Sequence, residues 1–167
     1  MKKISFTFLL FFISTSYAQD NLAAHVTYTN PEKFIDFETQ LGSQDRAGRL
    51  KKDLSKNINR IWEKFFANGY SLTIDFIDID MAGRILFGIE QIREVRVDLD
   101  RSVLEFDFTI KDENGKTIKS GHERLTNNNL ARLARMDRNQ FRMNRSRLRY
   151  EVAQLEEWIE KLSKELG

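Results

Sequence analysis

From Leu50 to Phe66 the apolar residues Leu50, Leu54, Ile58, Ile61, Trp62, Phe65 and Phe66 recur at steps of three and four. That period puts them on one face of a helix, and a helix with one greasy face needs a sheet to cover it. Asn68-Gly69 supplies residues that tolerate the left-handed conformation of a helix end, so the helix is predicted over Leu50 to Asn68. A strand is expected from Ser71. Leu72, Ile74 and Phe76 alternate with polar residues, then the phase changes and Ile77 and Ile79 alternate with Asp78 and Asp80. A bulge near Phe76-Ile77 reconciles the halves, with Asp75 opposite in face to Leu72 and with Asp78 and Asp80 sharing a face.

The period of two recurs elsewhere. His25 to Thr29, ended by Asn30-Pro31, reads as a first strand at a sheet edge. Phe34, Ile35 and Phe37 follow in a loop and are expected to plug one end of the core. Ile92, Val95, Val97 and Leu99 alternate with charges, and Leu104, Phe106, Phe108 and Ile110 do the same after a turn at Asp100-Arg101-Ser102; the two runs are expected to pair as half-buried antiparallel strands. Asp112-Glu113-Asn114-Gly115 fits a type I turn with glycine in the left-handed position, leading into a strand from Thr117 to Leu125. The hydrophobic register favours Ile118 opposite Ile110 and His122 opposite Phe106, which makes His122 a hydrogen-bonded core or rim histidine. Leu148, Val152, Leu155, Ile159, Leu162 and Leu166 mark a C-terminal amphipathic helix. The fold class is α+β, a four- to five-stranded, mainly antiparallel sheet covered by the two helices.

The start of the chain changes the picture of where the protein works. Lys2 and Lys3 precede an apolar run from Ile4 to Ile13, and Ser16-Tyr17-Ala18 offers small residues where a signal peptidase cuts. Residues 1–18 therefore read as a secretory signal peptide with cleavage after Ala18, and residues 19–167 as one α+β domain. The run is about ten residues where a spanning helix needs about twenty, so no integral membrane anchor is expected in the mature chain. No cysteine follows it for lipid attachment. The 27 basic residues include both signal-peptide lysines, so the mature chain is formally neutral against its 25 acids. Neutrality and export argue against nucleic acid as a partner. The absence of cysteine excludes disulfides, thiolate metal sites and cysteine nucleophiles.

Two groups could carry chemistry. Asp75, Asp78 and Asp80 could hold a hard cation or share a proton in a concave site, but two carboxylates two residues apart on a strand lie roughly 7 Å apart, wide for shared ligation. The other reading is a solvated strand face or charge partners for arginines. The second group is the arginine-rich segment, about residues 127–147, before the terminal helix. From Arg124 to Arg149 there are eight arginines and one acid, Asp137. Arg132, Arg135, Arg138, Arg142 and Arg145 form a candidate anion-binding set for lipid headgroups. The bland alternative is internal pairing with the acids of residues 75–113. No nucleophile elbow, phosphate-cradling glycine loop or zinc-binding helix motif occurs. No catalytic residue, metal ligand or cofactor is assigned.

Several stretches resemble one bacterial family, the domain of unknown function 3016. Asn30-Pro31-Glu32-Lys33-Phe34-Ile35-Asp36 is similar to its turn after the first strand, and Asp78-Ile79-Asp80-Met81-Ala82-Gly83 to its central signature. Ile92-Arg93, the Gly115 turn, Gly121 to Leu125, and Leu148-Arg149-Tyr150-Glu151 through Trp158 are similar too. The chain departs at Asp100-Arg101-Ser102, where the family usually has proline, and at Asn127-Asn128-Asn129, where it is more acidic. The resemblance makes Asp78, Asp80, Ala82, Gly83 and Asp36 a candidate functional motif. It implies an exported single domain and no established activity. The expected function is that of a periplasmic or envelope-associated, non-catalytic binding or envelope-maintenance protein, with an envelope protein or anionic lipid as partner. Two alternatives stay open: a metal-dependent or acid-base hydrolase using Asp75, Asp78 and Asp80, and an anionic-lipid surface binder using the arginines.

Overall fold

The computed structural model describes residues 24–34, 44–66, 69–86, 92–96, 99–127 and 148–166. Its first strand, β1 (Ala24–Tyr28), leads into a single 3-10 turn at Pro31–Lys33. Helix α1 (Gln44–Phe65) then crosses to strand β2 (Ser71–Asp80). Because a helix lies between them, β1 and β2 run parallel, as a crossover connection requires. Strands β5 (Ser102–Lys111) and β6 (Thr117–Asn127) complete a four-stranded sheet in the order β1-β2-β5-β6, antiparallel after its first pair. Strands β3 (Arg84–Leu86) and β4 (Ile92–Glu94) form a separate two-stranded ribbon. Helix α2 (Arg149–Leu166) closes the described chain.

The two helices pack against one face of the sheet. Leu50, Leu54, Ile58, Ile61, Trp62 and Phe66 of α1 are buried together with Leu72, Ile74, Phe76 and Ile79 of β2. From α2, Val152, Leu155, Trp158, Ile159 and Leu162 enter the same cluster. Trp158 stands edge-on to Phe106 and Phe108, with ring centroids 4.8 and 5.1 Å away. Phe34 is fully buried, as a core plug should be, whereas Ile35 and Phe37 lie outside the described residues. The end of α1 is tied to β2 by the Trp62 indole, which donates to the Tyr70 carbonyl at 3.2 Å. Gly69 makes the turn with a φ of 100°. Asn68 lies outside the described residues, and the helix begins six residues earlier than its greasy stripe because Gln44 to Arg49 extend it with no large apolar residue to mark it.

Edge strand β1 is held from two sides. Asn59 of α1 mimics a neighbouring strand: its Oδ1 accepts from the Ala24 amide and its Nδ2 donates to the Ala24 carbonyl, both at 3.0 Å. Tyr28 stacks on Phe76 at 5.6 Å, and its hydroxyl donates to the Lys51 carbonyl at 3.2 Å. Burial pushes that phenol up to about 12, a shift that a hydrogen bond with Ser55 partly opposes.

Three expectations need correction. Residues 91–100 do not form a long strand beside β5. Among its described residues only Ile92–Glu94 is a strand, paired with β3; Leu99 is 73% exposed, and the Asp100 carboxylate accepts from the Arg96 amide at 2.6 Å to close a turn. The place beside β5 belongs to β2, which pairs with it from Ser71 to Asp80. Alternation marks a strand's faces but does not name its neighbour.

The second and third corrections share a cause. The glycine turn forms as expected, with the Gly115 amide donating to the Asp112 carbonyl at 2.9 Å. One step later Ile118 bulges out, so Lys119 rather than Ile118 sits opposite Ile110, and Ile118 is 41% exposed. The slip carries His122 opposite Asp107 instead of Phe106, which turns it to the other face of the sheet.

Candidate functional site

The second face of the sheet carries the polar residues of all four strands and has no helix on it among the described residues. The bulge between Phe76 and Asp78 gives this face its composition. Before it, Asp75 points away from the core; after it, Asp78 pairs with Glu105 and Asp80 with Val103 while Ile79 returns to the core beside Leu104. The extra residue lets three aspartates share one face of a strand whose apolar residues still reach the core.

Across that face the acids stand on the two central strands and their partners on the flanking ones. Asp75 lies directly opposite Asp107, an unfavourable like-charge pair. Each is answered from outside. Thr27 and Thr29 of β1 donate their hydroxyls to the two Asp75 oxygens at 2.8 and 2.6 Å. His122 of β6 sets Nδ1 2.9 Å from Asp107 Oδ1 and Nε2 3.4 Å from Glu105 Oε1. Arg124 donates Nε to the second Glu105 oxygen at 3.0 Å. These are exposed or half-exposed pairs, each worth about 0–1 kcal/mol. Among the described residues the result is an open acidic surface with a histidine-arginine rim rather than a cleft, although Val103, opposite Asp80 on the same face, is buried. Among the described residues no three of His, Cys, Asp and Glu are arranged to hold a metal ion.

The candidate motif divides at Met81. Asp78 and Asp80 belong to the open face, whereas Met81 and Ala82 are buried. The Ala82 amide donates to Glu151 Oε1 at 3.0 Å, and the glutamate is itself fully buried in the first turn of α2. Gly83 has a φ of 87°, and a Cβ there would collide with the Glu94 carbonyl oxygen and stand 2.8 Å from Val95 Cγ2. Ala82 and Gly83 therefore act as a joint where β2, the β3-β4 ribbon and α2 meet. Sequence reading did not assign Glu151 a role: a charged residue at a helix start reads as solvated unless the fold brings a buried amide to it. Ser102 and Gln154 form a second such tie, with Gln154 Nε2 donating to Ser102 Oγ at 2.7 Å inside the core.

Asp36 and the arginines Arg132, Arg135, Arg138, Arg142 and Arg145 lie outside the described residues, as do residues 1–18, the expected signal peptide. Between β6 and α2 a groove of about 690 Å³ runs along the sheet edge, lined by Lys119, Glu123 and Leu125 on one side and Gln154, Trp158 and Lys161 on the other. Among the described residues no helix is long and apolar enough to cross a membrane.

A family model described as "Protein of unknown function (DUF3016)" matches residues 23–161. No curated protein matches significantly in sequence. Among solved structures, a minor lipoprotein from Acinetobacter baumannii is similar at 11% identity over 85% of this chain and 87% of that one, with a TM-score of 0.29, too low to carry an argument.

Proposed function

Because the chain belongs to the DUF3016 family, whose function is unknown, we propose from its own residues that it is an exported, envelope-associated protein that binds a partner and catalyses no reaction. One observation carries the binding reading. The carboxylates of β2 and β5 are splayed over a flat, open face, and Asp75, Glu105 and Asp107 are occupied by hydroxyl, imidazole and guanidinium groups of the flanking strands. General acid-base or metal chemistry needs such groups to converge on one reacting atom in a site that excludes water. A broad polar face instead suits a partner that covers it. Asp78 and Glu105 side by side favour a cationic or amide-rich partner surface of the envelope. Export is supported by the leader at residues 1–18.

Fractionation combined with charge reversal on the open face tests this. The tagged full-length chain should appear in the periplasmic and envelope fractions shortened by its leader. Washed envelopes should retain it saturably, and retention should fall at least tenfold for Asp78→Lys with unchanged circular dichroism. Retention that Asp78→Lys leaves intact, or a chain found only in the cytoplasm, would defeat the proposal. The anionic-lipid reading through the arginines predicts a different result: co-sedimentation with anionic liposomes that weakens as salt rises.

A further inference from the structure

Strand β6 is the longest in the sheet and lies at its edge, with no strand on its outer side among the described residues. It contains no proline, and its one bulge, at Ile118, lies at its beginning. From Lys119 onward its outward amides and carbonyls form an unbroken ladder of donors and acceptors, the feature by which sheets recruit another strand. The groove between β6 and α2 is lined by residues from both faces of β6, so it reaches around the same edge.

We infer that this edge pairs with the β6 edge of a second copy of the chain, antiparallel about a two-fold axis at Gly121, to give a continuous eight-stranded sheet. Strand geometry and charge select that register. In an antiparallel ladder, outward-pointing residues meet outward-pointing residues, so a two-fold axis must fall on a residue and never between two. An axis at Lys119, Glu123 or Arg124 sets that charge against its own copy, which is destabilising. At His122 it opposes two imidazoles and faces Lys119 with Leu125; at Ser120 it faces Lys119 with Gly121. An axis at Gly121 alone sets Lys119 against Glu123 of the second copy, and it does so twice by symmetry.

The side chains are prepared for this. Lys119 and Glu123 lie on the helix-covered face and are both half-buried. Glu123 has no ion-pair partner among the described residues, while the Lys119 ammonium already meets Glu165 of α2 at 2.5 Å and would stand between two carboxylates. Gly121 puts no side chain on the axis, where a Cβ would lie 3.2 Å from the Phe108 ring. The overlap of residues 117–125 is roughly 30 Å of edge at about 3.3 Å per residue. At about 10 Å width it buries roughly 300 Å² per copy, and the α2 walls of the groove add to this. The strands alone thus bury roughly 600 Å² in total, below the usual size of a specific interface, so a weak dissociation constant on the order of tens of micromolar is expected.

Sedimentation of the purified protein up to about 100 µM, above that constant, tests association. A monomer-dimer equilibrium is expected, weakened about tenfold by Glu123→Lys and restored by Glu123→Lys combined with Lys119→Glu. A purely structural role for the Lys119-Glu165 bridge predicts no such restoration. The native chain has no cysteine, so the register can be read directly. Ser120 should face His122 of the second copy, hence an equimolar mixture of Ser120→Cys and His122→Cys should form disulfide-linked dimers much faster than either variant alone. A monomer at every concentration would overturn the inference. So would a dimer whose cross-linking ignores that pairing, since it would use another face.

Discussion

At Gly83 and Gly115 the same backbone conformation has two different consequences. Both have positive φ, 87° and 77°, but only Gly83 stands against a neighbouring backbone. Gly115→Ala should cost about 1–2 kcal/mol, the price of a left-handed alanine. Gly83→Ala adds a collision with Glu94 and should cost clearly more, displacing the β3-β4 ribbon. Urea midpoints of the two variants, measured side by side, check the difference. Glu151 offers a second case. Glu151→Ala leaves the buried Ala82 amide without its acceptor and should lose about 1–3 kcal/mol, whereas Glu151→Gln keeps an acceptor oxygen and should lose less. Tyr28 gives a pH signature. Its folded value of about 12 exceeds the unfolded value near 10, so its contribution is fully present below about pH 10 and is lost as pH rises toward 12. The loss is on the order of 2 kcal/mol. Urea midpoints at pH 9 and 11.5 should show a drop that Tyr28→Phe reduces.

Among the elements, α2 depends on one large contact. Trp158 is 6% exposed and meets two phenylalanines of β5, so Trp158→Ala should destabilise by about 3–5 kcal/mol. Most of this architecture was legible in the sequence. The stripes of α1 and α2, the turn at Gly115 and the bulge after Phe76 all followed from spacing, because each depends on neighbours within a few residues. Strand partners and register did not. Ile92 to Leu99 alternates as cleanly as β5, but the competition for the edge of β5 is won by β2, which offers a ten-residue strand. The bulge at Ile118 likewise leaves no mark that separates it from a regular strand.

At the scale of the molecule, both helices share one apolar layer with one sheet face, so the described core should unfold as a unit. The chain has two tryptophans, Trp62 on α1 and Trp158 on α2, both within that layer. Trp62→Phe and Trp158→Phe each leave a single reporter on a different helix. In each variant the fluorescence midpoint in urea should coincide with that of far-ultraviolet circular dichroism. Midpoints that separate would mean that the helices leave the sheet independently. The candidate site was only half legible. That Asp75, Asp78 and Asp80 avoid the core follows from their alternation with isoleucine and phenylalanine.

Hydrophobic period, turn residues and the leader-like start of the chain are local properties, and from them the sequence alone determined an α+β chain with two core-facing helices and an expected route of export. Only the tertiary structure decided that Ala82 and Gly83 form a joint around a buried Glu151, and that His122 leaves the core for the company of Asp107. It alone left β6 as an edge. Those outcomes depend on which distant segments meet, and a contact such as that of Ala82 with Glu151, 69 positions apart, is settled by the packing of the whole core rather than by any pattern along the chain.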